Sequence, residues 1–167
     1  QRIETQALAA SARYSQVLDA FGRSDRTRAF TLIDELRKEH DASPYADQAD
    51  LALARAAVEL NDLDEAARLL EGVANRSKDA ELRLVAQTRL ARVLIAQGKQ
   101  DAALALLEPA KSGAFAGLVH DIRGDALLAK GDAAGARAEY DAALTAAGPD
   151  SGVDREYLEL KRDAIAA

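Results

Sequence analysis

Along nearly the whole chain, apolar residues return every three or four positions, in blocks separated by short polar or glycine-bearing corners. That is the period of amphipathic helices. Leu8, Ala12, Val17 and Phe21, with Ala7 and Tyr14 widening the stripe, predict a first helix over 3–21 that stops at Gly22. Ser24 is the expected cap of a second helix, which carries Ala29, Phe30, Ile33 and Leu36 and ends near His40. Asp41-Ala42-Ser43-Pro44 is a break, with Ser43 suited to an N-cap and Pro44 to the first helical position. Helices are then expected over 44–60, 63–75, 80–97, 100 to about 108 or 110, from about 114, 133–147 and 153–165. Lys111-Ser112-Gly113 and Gly148-Pro149-Asp150 are the breaks in the second half.

The corners repeat. Ala91, Gly98, Ala103 and Leu107 have counterparts at Ala54, Asn61, Ala66 and Leu70, 37 residues earlier, and at Gly124, Gly131, Ala136 and Tyr140, 33 residues later. Each set holds a small residue, a turn former seven positions on, alanine five after that, and a large apolar residue four further. Small side chains on both sides of a corner let two antiparallel helices approach closely. Val17, Ala29 and Ile33 stand another 37 residues before Ala54, Ala66 and Leu70, so the first pair reads as a degenerate copy that caps the array. The spacing lies close to the tetratricopeptide period. It predicts an all-α, tetratricopeptide-like right-handed solenoid of antiparallel helical hairpins with terminal capping helices. The expected plan is one domain over 1–167: a capping hairpin over 1–42, repeats over 44–76, 79–110 and 114–147, and a C-terminal capping helix over 153–166.

Composition agrees with this plan. The chain has 39 alanines, the strongest helix formers, and only 3 prolines, all beside expected boundaries. A formal charge of -6 argues against general nucleic-acid binding. The basic group Arg23, Arg26, Arg28, Arg37 and Lys38 could meet a phosphate or another protein, but fits a solvated helix face better. There is no cysteine, hence no disulfide or thiolate metal site. No apolar run is long enough to span a bilayer, and the chain begins with Gln1 instead of methionine, the expectation being a fragment of a longer, anchored protein.

The search for chemistry finds little. The two histidines, His40 and His120, lack histidine or cysteine companions suited to zinc, and no phosphate-binding loop is present. Asp62, Asp64 and Glu65 are explained by helix capping and the helix dipole. Glu156 and Glu159 with Lys161 read as solvated helix groups. Asp121 and Asp125, one turn apart, could hold Mg²⁺ in principle, though a metal site is not the expectation. Neither a catalytic residue nor a cofactor is expected.

A family resemblance is carried by several segments in order. They are Ser43-Pro44-Tyr45-Ala46, Leu51-Ala52-Leu53-Ala54, Asn61-Asp62-Leu63-Asp64-Glu65-Ala66-Ala67, Leu90-Ala91-Arg92-Val93-Leu94 and Gln97-Gly98-Lys99. Arg123-Gly124-Asp125, Lys130-Gly131-Asp132, Ala136-Arg137 with Tyr140 and Ala143-Leu144, and Leu160-Lys161 follow. The chain resembles the tetratricopeptide-like domain of the YfgM family, ancillary subunits of the bacterial SecYEG translocon. The resemblance implies a single membrane-spanning helix in the inner membrane, with this domain in the periplasm. It also implies partnership with SecYEG and with a PpiD-like periplasmic chaperone, and help in handing exported polypeptides to chaperones. No catalytic pattern is implied.

In the repeat register, the residues expected to face a protein-binding groove are Gln48, Leu51, Arg55, Arg92, Ile95, Leu118, Asp121, Asp125 and Leu128. Their mixture of apolar and charged groups suits an extended peptide or a partner helix. The alternative is a structural assembly or homodimerisation module of an envelope complex, its groove filled by its own termini or by a second copy.

Overall fold

The computed structural model describes residues 1–41, 43–149 and 151–165, and all regular structure among them is helical. The helices are α1 (Arg2–Gly22), α2 (Arg26–His40), α3 (Pro44–Glu59), α4 (Leu63–Arg76), α5 (Ala80–Ala96), α6 (Gln100–Leu106), α7 (Ala116–Ala129), α8 (Ala133–Ala146) and α9 (Arg155–Asp163). Ala42 in the first break, Asp150 after α8 and residue 166 of the expected capping helix lie outside the described residues.

One backbone device makes four of the corners. Ser24, Asn61, Gly98 and Gly131 take φ of 57°, 59°, 77° and 87°, the left-handed region that ends helices. The N–H of the next residue then reaches back to a carbonyl of the last turn: Asp25 to Ala20 and Asp132 to Leu127 at 2.9 Å, Asp62 to Ala57 and Lys99 to Leu94 at 2.8 Å. That same next residue opens the following helix. The Asp25, Asp62 and Asp132 carboxylates accept the backbone N–H of Arg28 (3.0 Å), Glu65 (3.3 Å) and Gly135 (2.9 Å). The expected cap at Ser24 is therefore corrected. Ser24 occupies the left-handed position that matches Asn61, Asp25 is the cap, and α1 continues through Gly22.

Lys99 is the exception among the four, since an ammonium cannot accept a hydrogen bond and no side chain caps α6. That helix also ends earlier than expected, at Leu106. Pro109 disfavours helical geometry in the residue before it, and Glu108 is extended at φ −116° and ψ 103°. Two 3-10 turns, Pro109–Lys111 and Gly113–Phe115, carry the chain to α7.

The chain divides into two compact units, Gln1–Ala86 and Gln87–Ala167. In the first, α1 packs on α2, α3 on α4, and α3 also contacts α1 and α2. One apolar cluster joins Ala10, Val17 and Ala20 of α1, Ala29, Leu32, Ile33 and Leu36 of α2, and Ala46 and Ala49 of α3. Burying each such valine, leucine or isoleucine contributes about 1.5 to 3 kcal/mol. The second unit holds a cluster of Ala91, Ala103, Leu107, Val119 and Ile122. Another of its clusters links Ala136, Tyr140, Ala143 and Leu144 of α8 to Leu158 of α9 and to Ile165.

The equivalent positions of the expected repeats are alike in burial. Ala54, Ala91 and Gly124 are buried, as are Ala66, Ala103 and Ala136, and Leu70, Leu107 and Tyr140.

A candidate protein-interaction surface

In the first unit, the expected groove residues Gln48, Leu51 and Arg55 share α3 but not an environment. Leu51 is buried, Gln48 is half-buried, and Arg55 is exposed and pairs with Glu59 at 3.4 Å, one turn on. Arg37 turns inward instead of joining a solvated face. Its guanidinium and that of Arg76 converge on the buried Asp50 carboxylate. Beside them Asp47 is also buried, 3.6 Å from Arg76, and its Oδ1 accepts no hydrogen bond among the described residues. Burial raises the Asp47 pKa, outweighing the Ser77 hydroxyl and the Arg76 charge, which pull the other way.

In the second unit, Arg92, Asp121 and Asp125 come together. Arg92 lies 3.4 Å from Asp125 Oδ2 and 3.8 Å from Asp121 Oδ2. The helical repeat places Asp121 and Asp125 one above the other on α7, so both carboxylates face the same way. Their remaining oxygens meet α9. Lys161 donates to Oδ1 of Asp121 and, at 2.9 Å, to Oδ1 of Asp125. Tyr140 donates its hydroxyl to the same Asp125 oxygen at 2.7 Å. The Lys161 ammonium also lies 4.9 Å from the Tyr140 ring centre and 5.1 Å from that of Tyr157, within cation–π range.

Lys161 is thus not the solvated group that its place beside Glu156 and Glu159 suggested, because its side chain is only 16% exposed. Burial disfavours its charge, but the hydrogen bonds and charges of Asp121 and Asp125 prevail and hold its pKa above the ordinary lysine value. Burial, with the bond to Asp125, pushes the Tyr140 phenol far above its usual range, so it remains a donor at any physiological pH. Two carboxylates that could have suited a cation are here matched by an ammonium and a guanidinium.

Arg92, Leu118, Asp121 and Asp125 form one wall of an open cleft of about 410 Å³, and Gly152, Val153, Asp154, Tyr157 and Lys161 form the other. Ile95 and Leu118 are half-buried against the cluster around Ala91, while Leu128 is exposed. The groove prediction lacks the whole second wall, Gly152, Val153, Asp154, Tyr157 and Lys161, and it lacks Tyr140, which bonds to Asp125. Tyr140 was visible as the one aromatic among the large repeat residues, whereas nothing local marked Lys161.

Arginines also bond to backbone carbonyls at helix ends in both units. Arg83 donates to the Ser77 carbonyl (2.7 Å), Arg123 to those of Leu104 (3.1 Å) and Leu107 (2.9 Å), and Arg155 to that of Leu144 (2.8 Å). Each covers carbonyls at the end of the preceding helix, where cations are favourable. Arg123 is in turn held by Glu139 at 3.0 Å, and the other Glu139 oxygen lies 2.7 Å from His120 Nδ1.

The family model for the tetratricopeptide repeat-like domain matches residues 1–167. An ancillary SecYEG translocon subunit of Aggregatibacter actinomycetemcomitans is 33% identical over 139 residues, which cover 83% of this chain and 68% of that protein. The chain belongs to the ancillary SecYEG translocon subunit family. The relative of that description from Escherichia coli is 43% identical over 101 residues, covering 60% of this chain and 48% of the relative. The one from Neisseria gonorrhoeae is 33% identical over 133 residues, covering 80% and 63%. The chain therefore spans about half to two thirds of the length of these family members. No helix among the described residues is long and apolar enough to cross a membrane.

Proposed function

We propose that the chain is a non-enzymatic protein-interaction domain of a membrane-anchored translocon accessory subunit. In this reading it sits in the periplasm, docks on SecYEG or on a prolyl-isomerase-type chaperone such as PpiD, and assists the transfer of exported polypeptides. The observation that carries it is the Arg92–Asp121–Asp125 cleft in a chain of this family. Arg92 is half exposed while the carboxylates it faces are held rigidly from behind by Lys161 and Tyr140. Charges fixed in this way set the register and selectivity of a partner more than raw affinity. Leu118 within the cleft and exposed Leu128 on the same helix supply apolar contact area.

One observation favours the second reading, a structural assembly or homodimerisation module. Lys161 of the chain's own C-terminal helix already occupies the position a partner's cation would take. Site-specific photo-crosslinking at Arg92, Leu128 and Arg55 of the full-length protein in native membranes separates the two. Adducts with translocon or chaperone components support the docking role. Adducts with the same protein alone support assembly, and an absence of protein adducts at all three positions overturns both.

A further inference from the structure

Lys161 is one of four residues by which α9 seats on its neighbours. Leu158, Lys161 and Arg162 of α9, with Ile165 just beyond its end, stand at i, i+3, i+4 and i+7, one face of a helix. Leu158 and Ile165 are buried in an apolar patch of α8 made by Ala136, Tyr140, Ala143 and Leu144. Lys161 donates to Asp121 and Asp125 of α7, and Arg162 lies 3.5 Å from Asp141 of α8. Arg137 of α8 donates to the Ile165 carbonyl at 3.0 Å, so the end of α9 is recognised as well as its face. This is the anchor spacing by which an amphipathic helix lies in a groove.

α9 is held on that face lightly. Leu158 is the one buried residue of its nine, and Tyr157 and Leu160 are exposed. A helix this short is marginal in water by itself, so α9 owes its form to the face beneath it. Segments with few buried contacts open before the rest of a fold does. The face itself holds the carboxylates of Asp121, Asp125 and Asp141 against the guanidiniums of Arg92 and Arg137. Glu139 of α8 is turned to Arg123 and His120, and Asp154, Arg155, Glu156, Glu159 and Asp163 travel with α9. Without α9 the face is therefore negative, and because Asp121 is buried it demands a cation.

We infer that α9 is a built-in ligand of a helix-binding face on α7 and α8, displaced when a partner helix of the same pattern docks. That pattern is a leucine, a lysine three residues on and an apolar group four further. The apolar groups enter the α8 patch, and the lysine pairs with Asp121 and Asp125. A glutamate in the lysine's place would set a third carboxylate against those two, which rejects acidic helices. The cleft beside Arg92 is the open edge of this face, and α9 covers the remainder until a competitor arrives. The inference rests on the protein-interaction reading and names the chemistry of the partner.

The probes are a labelled peptide of residues 153–165, a twin carrying Lys161→Glu and a twin carrying Leu158→Ser. Fluorescence anisotropy follows their binding to the 167-residue chain and to its Leu158→Ser variant, whose own α9 competes less. The unaltered peptide is expected to bind the variant chain about tenfold more tightly than the wild-type chain, and each twin about tenfold more weakly. NMR signals of Asp125, Tyr140 and Ala143 in the variant should move toward their wild-type positions as the peptide binds. Amide exchange of the wild-type chain gives a second reading that needs no variant: α9 is expected to open while α8 stays protected. No binding at millimolar peptide, equal binding of the Lys161→Glu twin, or exchange in α9 no faster than in α8 would overturn the inference. So would self-association of the wild-type chain that Leu158→Ser abolishes, since α9 would then pass between copies. No membrane component is present, so failure here leaves the crosslinking at Arg92, Leu128 and Arg55 to decide the docking role by itself.

Discussion

Gly124 lies directly under the ring of Tyr140. A Cβ at position 124 would stand 2.6 Å from Tyr140 Cδ1, well inside contact distance. The two other hairpins with this register place alanine and leucine at these positions, Ala54 with Leu70 and Ala91 with Leu107. The third exchanges both: the larger ring is admitted because the facing residue has no side chain. Tyr140 can then reach Asp125 with its hydroxyl, 2.7 Å away, and so joins the frame to the cleft.

Gly124→Ala should accordingly cost about 1 to 3 kcal/mol, as overpacking does. Adding Tyr140→Leu restores the alanine–leucine pairing of the other hairpins. The double variant should therefore be more stable than the sum of the two single losses predicts, a coupling readable from urea unfolding. Additive losses would show that the ring accommodates the methyl by moving.

Lys99 occupies the cap position that aspartate holds at Asp25, Asp62 and Asp132. Lys99→Asp should supply the missing acceptor for the first turn of α6 and stabilise the chain by about 0.5 to 1 kcal/mol. Asp62→Ala should lose about 1 kcal/mol for the converse reason. Thermal midpoints of the two variants should move in opposite directions.

Lys161→Met keeps the aliphatic stem of the side chain but leaves Asp121 and Asp125 without their ammonium. We expect a loss of about 1 to 3 kcal/mol and faster amide exchange in α9, because a partly buried charge loses its partner. The pH dependence follows from the raised pKa of Lys161. Its contribution is fully present below the ordinary value of 10.5 and is lost as pH rises through the higher folded value. Wild type and Lys161→Met should therefore converge as the pH becomes strongly alkaline.

Asp47 behaves in the opposite sense. A carboxyl whose folded pKa lies above the ordinary 3.8 binds its proton more tightly in the native state. Stability relative to Asp47→Asn is then greatest at acid pH and falls as pH rises from 3.8 through the raised value. Urea midpoints of the two proteins should draw apart across that window, with wild type losing ground toward neutrality. Parallel curves would show that Arg76 compensates the burial.

The helices and the repeat register were legible in the amino-acid order because their signals are local. A left-handed residue, a capping aspartate, an alanine at the crossing and a large apolar group all fall within about twenty positions, and each acts on its neighbours through backbone geometry. Even the misplaced cap at Ser24 was recoverable, since Ser24 stands 37 residues before Asn61 and Asp25 the same distance before Asp62. The fates of the charged groups were not legible. Asp50 and Arg76 are 26 positions apart and Lys161 and Asp121 are 40 apart, and whether such groups meet or face water depends on how helices pack. Helical periodicity tells which side of a helix is buried. Only the folded chain decides which distant lysine or arginine is drawn in to satisfy a carboxylate there, because a buried charge must find a partner and the partner is chosen by proximity in space.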